Sequence, residues 1–250
     1  MLVQKYRDML SAKSVIRQLS EFATARGQEI GYENVFDYSL GNPSVPVPQE
    51  FTDTMMHMLS TKEPNVLHGY SPSLGITSVR EAVAASLERR FGLPYRKEHI
   101  FMASGAAGAL AHAFRLVTEP GDEILTFAPF FPEYHPYVDL TGAALKVVPP
   151  DTESFQINFE AFKELLTEKV MAILINTPNN PSGVVYSDET LKKLAEVLKE
   201  KSEQYGHEIY LISDEPYREI VFEGTKIPCV SQFYDNTIMC YSFSKSLSLP

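Results

Sequence analysis

Five short stretches carry side chains able to do chemistry, and each directly follows an apolar run of strand length. Lys245 lies just past the run Thr237–Phe243, between Ser244 and Ser246 and close behind Ser242. An amine at the exit of a central strand is partly desolvated, which favours its neutral, nucleophilic form. The plain alternative is a surface lysine. Asp214 opens Asp214-Glu215-Pro216-Tyr217, immediately after Ile209–Ser213. An acid there is either a turn cap or a charge aimed into a site. Asn176-Thr177-Pro178-Asn179-Asn180-Pro181-Ser182-Gly183 follows Val170–Ile175 and has the composition of a rigid turn, in which a fixed amide could donate to a ligand. Ala128-Pro129-Phe130-Phe131-Pro132-Glu133-Tyr134 follows Glu123–Phe127; its aromatics could stack on a flat ring or fill a satellite core. Ser104-Gly105-Ala106-Ala107-Gly108 follows Ile100–Ala103 and opens a helical pattern, so a phosphate could approach its backbone N–H groups. The same residues could equally serve as an ordinary capped helix start.

Taken together the stretches offer an amine, a carboxylate, a hydrogen-bond donor, a stacking aromatic and a phosphate cradle. That set meets the chemical needs of pyridoxal 5′-phosphate, whose aldehyde forms a Schiff base with an amine. A carboxylate at its pyridine nitrogen keeps the ring an electron sink.

Positioning five such stretches along one edge requires a particular fold. Strand-like runs at 100–103, 123–127, 144–148, 170–175, 209–213 and 237–243 alternate with amphipathic helical patterns. This predicts an α/β fold with a mostly parallel sheet and helices on both faces. Functional residues in such sheets gather where strands end at their C-terminal edge. Val170–Ile175 is continuously apolar, as expected of a strand buried on both sides. Helix starts are expected at Thr77 or Ser78, at Asn158 and at Ser187, and stops at Gly92 and Gly206. An earlier helical pattern spans residues 2–25 and is expected to end near Gly27. The turn-rich loop at 40–48 divides residues 1–45, an N-terminal arm with part of a small domain, from a large domain at 46–250.

The composition narrows the function. Twenty-two Lys and Arg against 32 Asp and Glu give a net charge of −10, which disfavours nucleic-acid or anionic-membrane partners. The two cysteines, Cys229 and Cys240, form no disulfide framework and fit a cytoplasmic setting. No apolar run is long enough to span a bilayer, and the N-terminus is interrupted by charge too early for a signal peptide. No GxSxG, HExxH, P-loop or GxGxxG motif occurs, and the histidines show no metal-ligand spacing, so no metal site is expected.

The wording of three motifs resembles the class I/II aminotransferases among fold-type I enzymes of pyridoxal 5′-phosphate. They are Asn-Asn-Pro-Ser-Gly at 179–183, Asp-Glu-Pro-Tyr at 214–217 and Ser-Phe-Ser-Lys at 242–245, and the likeness runs from about Gly41 to the last residue. The resemblance implies that Lys245 is the Schiff-base lysine and proton shuttle, with Asp214 the partner of the pyridine nitrogen. Asn180 and Tyr217 would bond the cofactor's phenolic oxygen, and Phe131 would stack on its ring. Gly105, Ala106, Ala107 and Ser242 would hold its phosphate. Gly41 and Asn180 would contact substrate. His68-Gly69-Tyr70 resembles a segment whose tyrosine reaches the neighbouring subunit, implying a homodimer. The reaction implied is amino transfer between an amino acid and a 2-oxo acid. A carbon–sulfur β-lyase, or a non-catalytic sensor, would use the same cofactor-holding residues. The family continues past the lysine with a phosphate-binding arginine, a further strand between the first strand and the lysine-bearing one, and the rest of the small domain. This chain stops at Pro250, and the expectation is that it is a fragment of a longer enzyme.

Overall fold

A computed structural model describes residues 4, 7, 15–43, 45–222 and 224–250. The chain forms two compact units, Met1–Pro46 and Val47–Pro250. Most of the helix expected before residue 15 lies outside the described residues.

In the first unit, helix α1 spans Val15–Ile30 and does not stop at Gly27. Gly27 is buried because the ring of Tyr32 folds onto it; a Cβ there would lie 2.4 Å from that ring. The glycine that ends the helix is Gly31, at φ +89°, whose N–H donates to the Gly27 carbonyl at 3.0 Å.

The second unit begins with α2 (Gln49–Thr61) and α3 (Pro64–His68), which bury no residue within the single chain. Helix α4 (Thr77–Phe91) starts without a side-chain cap, Ile76 occupying the N-cap, so the cap expected of Thr77 or Ser78 does not form. It ends at Gly92 in the left-handed region, as expected. Helix α5 (Gly105–Val117) then leads into the sheet: β1 (Glu123–Phe127), α6 (Tyr134–Asp139), β2 (Ala144–Val148), α7 (Phe159–Leu165), β3 (Val170–Asn176), α8 (Asp188–Tyr205), β4 (Tyr210–Asp214), β5 (Thr237–Cys240) and α9 (Phe243–Ser246). Asn158 and Ser187 cap α7 and α8 by accepting from Ala161 N and Thr190 N, and Gly206 closes α8.

The five strands run parallel in the order β2-β1-β3-β4-β5. Alternation along β3 divides the core. Ile173 and Ile175 join Leu125, Leu211 and the α8 leucines on one face, while Ala172 and Leu174 join Ile124, Ile212, Leu110 and Phe114 on the other. Burial on both faces explains why β3 reads as one apolar run. Ile173→Ala should therefore cost about 2–5 kcal/mol in urea unfolding, whereas Glu196→Ala on the exposed side of α8 should stay within ~0.5 kcal/mol.

One expected strand is absent. Residues 100–103 are extended but unpaired within the sheet. They are held by other bonds: buried Arg80 donates to the carbonyls of Ile100 at 2.9 Å and Lys97 at 2.5 Å, and Met102 N to Leu74 O at 3.3 Å. Phe101 and Met102 share with Ile238 and Met239 of β5 the lining of a cavity of about 1540 Å³. Hence β5 has a strand neighbour on one side only among the described residues. No helix among them is long and apolar enough to cross a membrane.

Candidate functional site

A parallel sheet sends every strand's C-terminal end to the same edge, so the four stretches that follow β1, β3, β4 and β5 converge there, and the stretch at 104–108 joins them through the contact of Gly105 with Ser242. Asp214 is the last residue of β4 and pairs in register with Asn176 of β3 and Cys240 of β5. Its side chain is buried, 5% exposed. Oδ2 accepts a hydrogen bond from the Tyr134 hydroxyl at 2.6 Å, whereas Oδ1 is buried with no hydrogen-bond partner among the described residues. An unpartnered buried carboxylate oxygen is costly unless a donor arrives from elsewhere. Burial pushes the Asp214 carboxyl up to about 6; the Tyr134 bond opposes that rise and the Glu215 charge adds to it.

The turn after β3 is braced against this carboxylate. Asn176 Nδ2 donates to the Asp214 backbone carbonyl at 2.8 Å, and Asn176 Oδ1 accepts from Asn180 N at 2.6 Å. Asn180 thereby presents its own amide, whose Nδ2 donates to the Tyr217 hydroxyl at 3.3 Å. Tyr217 is partly buried, and burial together with the Asp214 charge raises its phenol above the usual range, leaving a neutral hydroxyl. Asn179 Nδ2 reaches Pro129 O at 3.3 Å and ties this turn to the aromatic loop after β1. In that loop Phe131, partly exposed, meets the Tyr134 ring edge-on, the centroids 5.7 Å apart.

Lys245 stands on α9, the single turn that follows β5, and is partly buried. Two hydroxyls secure that turn. Ser242 Oγ caps it by accepting from Ser244 N at 3.0 Å, and the Tyr241 hydroxyl shares a 2.9 Å bond with Ser246 Oγ. Buried Ser242 lies beside the start of α5: a Cβ on Gly105 would be 3.8 Å from its Oγ. Gly105 sits at φ +67°, a conformation that favours glycine, and Ser104 gives the helix no side-chain cap. The Gly105 N–H donates to the Ala103 carbonyl at 3.1 Å, while the N–H groups of Ala106 and Ala107 in the first turn of α5 have no capping side chain, which suits an anion.

Asp214, Tyr217, Asn180, Phe131, Ser242, Gly105 and Lys245 therefore come from five separate stretches to one sheet edge. Tyr70 is fully exposed in the loop between α3 and α4, and Gly41 belongs to the first unit. No cluster of metal-ligating side chains occurs among the described residues.

Three contributors carry no motif of their own. Tyr134 closes on Asp214 across 80 positions of sequence. Asn176 was legible only as a turn former. Arg218 is buried beside Glu215, which also accepts from Ser213 Oγ at 2.7 Å, and its guanidinium lies 4.9 Å from the Phe91 ring centroid. This ion pair sets a positive charge against the carboxylate next to Asp214, although burial still leaves the Glu215 carboxyl above its ordinary range.

Comparison with known proteins assigns a family. The family described as aminotransferase class I and II matches residues 33–250. An aspartate aminotransferase of Thermotoga maritima is 32% identical over 247 residues, covering 94% of this chain and 63% of its own length. A probable aspartate/prephenate aminotransferase of Aquifex aeolicus is also 32% identical, over 90% of this chain and 57% of its own. Among solved structures, an amino transferase from Eubacterium rectale superposes with a TM-score of 0.94 at 45% identity, over 100% of this chain and 63% of that one. The solved Thermotoga maritima aspartate aminotransferase gives 0.87 at 28% identity, over 99% and 63%. The chain thus spans about three fifths of the length of these relatives.

Proposed function

We propose, from the premise that this chain belongs to the class I and II aminotransferases, that it transfers an amino group between an amino acid and a 2-oxo acid. The cofactor of that family is pyridoxal 5′-phosphate. The observation that carries the reading is the Oδ1 of Asp214, a buried acceptor with no hydrogen-bond partner among the described residues, which fits a ring N–H. The charged partner of a protonated ring nitrogen must be ionised at working pH, and a carboxyl titrating at about 6 satisfies this.

In this reading Asn180 and Tyr217 donate to the cofactor's phenolic oxygen, Phe131 covers one ring face, and Gly105, Ala106, Ala107 and Ser242 receive the phosphate. When bound, the cofactor supplies an aldehyde for amines and a ring that disperses negative charge from the substrate Cα. Lys245 contributes the amine that holds the aldehyde between turnovers. Once the substrate's amine had displaced it from the aldehyde carbon, the freed Lys245 amine would take the proton from the substrate Cα as a general base. The hydroxyl-secured turn of α9 keeps that amine on one trajectory, which is where orientation contributes to rate. Asn180 contacts the substrate carboxylate.

The active form is a homodimer in which Tyr70 reaches the neighbouring site. Its full exposure, and the exposed side chains of Met56 and Leu59 on α2, leave apolar surface for a second copy. A cytoplasmic setting agrees with the two buried free thiols, Cys229 and Cys240.

A single half-reaction tests the proposal. Protein loaded with pyridoxal 5′-phosphate and mixed with an amino acid should release one equivalent of 2-oxo acid and leave the cofactor aminated. Release of ammonia with pyruvate from a thiol-bearing amino acid, without cofactor amination, would replace amino transfer by β-elimination. No change in either would leave a binding protein.

A further inference from the structure

Resting on the cofactor reading above, we infer that Tyr134 is a positioning residue for the ring nitrogen: by occupying Oδ2 of Asp214, it leaves Oδ1 as the oxygen that meets that nitrogen. Nothing in the motif wording marks this tyrosine. Its placement comes from the structure.

Tyr134 begins α6 and is fully buried. Its ring is stacked with Phe130, centroids 6.4 Å apart at 12°, and crossed edge-on by Phe131. The ring has no room to swing, so the hydroxyl is delivered to one point, Oδ2 of Asp214, at 2.6 Å. Asp214 could otherwise rotate about its terminal torsion and present either oxygen, since such torsions are broad and two-fold. A single fixed donor on one side removes that freedom. The bond also favours the ionised carboxylate, opposing the effect of burial.

The donor cannot fail by losing its own proton. Burial, with the Asp214 charge beside it, drives the Tyr134 phenol far above the usual range. Other titratable groups near Asp214 do not replace it. Tyr137 on α6 and Cys240 on β5 feel its charge, Tyr217 bonds to Asn180, and Glu215 is matched by Arg218. Helix α5 presents apolar side chains to this part of the sheet: Leu110, Ala113 and Phe114.

The test compares Tyr134→Phe with the parent protein through two readouts besides turnover. The first is the titration of Asp214 in the cofactor-free protein, followed by carbon NMR with labelled aspartate and assigned by Asp214→Asn. Loss of a hydrogen bond to a charged group should move the midpoint upward by about 1–2 pH units. The second is affinity for pyridoxal 5′-phosphate against an analogue with carbon in place of the ring nitrogen. The substitution should weaken the natural cofactor about 10-fold and leave the analogue unchanged. An unmoved midpoint, or equal losses for both ligands, overturns the inference, because a packing role would not distinguish the two rings. If Tyr134→Phe does not fold, difluorotyrosine at position 134 strengthens the donor and should lower the midpoint; no shift is equally fatal. Should the parent itself bind both ligands equally, the cofactor reading fails. Should only Tyr134→Phe leave their ratio unchanged, that reading stands and this inference alone falls.

Discussion

Lys245→Ala is expected to remove the visible absorbance of the cofactor-loaded protein and to lower turnover by at least ~10⁴-fold. Two separate duties fall on one nitrogen, holding the aldehyde and moving the Cα proton, so no neighbour can stand in for it. The hydroxyls around it, Ser242, Ser244 and Ser246, are weak bases engaged with one another or with Tyr241. The fold should survive, because α9 is one turn secured by backbone and hydroxyl bonds and Lys245 is only partly buried. Circular dichroism and the urea midpoint should therefore be nearly unchanged. Lys245→Arg separates charge from nucleophilicity: a guanidinium stays protonated and should be as inactive as alanine. In the parent, borohydride reduction should fix the cofactor to the peptide containing Lys245. An adduct on another lysine, or turnover retained by Lys245→Ala, would end the proposed mechanism.

The residues that make the site were legible because they sit where continuous apolar runs stop. Val170–Asn176 and Tyr210–Asp214 are strands whose last residues, Asn176 and Asp214, pair in register. Their position on one edge follows from parallel strands alone. Capping was legible where a side chain had a backbone N–H in reach, at Asn158 and Ser187, and not at Thr77, where Ile76 is the flanking residue and no side-chain bond forms. Gly27 misled because a glycine can end a helix or admit a ring, and Tyr32, five positions on, was what decided between them. The run at 100–103 has strand composition but no strand beside it, so composition without a partner did not become sheet. Tyr134 and Arg218 belong to a last category. Their roles depend on long-range packing of α6 against β4 and of Arg218 against Glu215 and Phe91, which no local pattern encodes.

Asp214→Asn should do two opposite things. In the loaded protein it removes the anion that stabilises a protonated ring nitrogen, and kcat should fall by about 10²–10³-fold, the usual scale for losing one preorganised electrostatic contact. In the cofactor-free protein the same change removes a liability. The folded carboxyl titrates at about 6 against an ordinary 3.8, so the folded state holds its proton more tightly than the unfolded chain does. Stability contributed by the protonated form is present below about pH 4 and is lost as pH rises through about 6. An asparagine has no such loss. Relative to the parent, cofactor-free Asp214→Asn should therefore gain stability between about pH 4 and about pH 7.5, by roughly 3 kcal/mol, read from urea unfolding at both pH values. Binding of cofactor should reverse the order at neutral pH, because only the parent's Oδ1 then gains a charged donor. A pH-independent difference between the two cofactor-free proteins would mean that Asp214 is not the strained, waiting acceptor that its bare oxygen implies. A site built to receive a ligand is least stable where that ligand is missing, and this carboxylate is where that cost is concentrated.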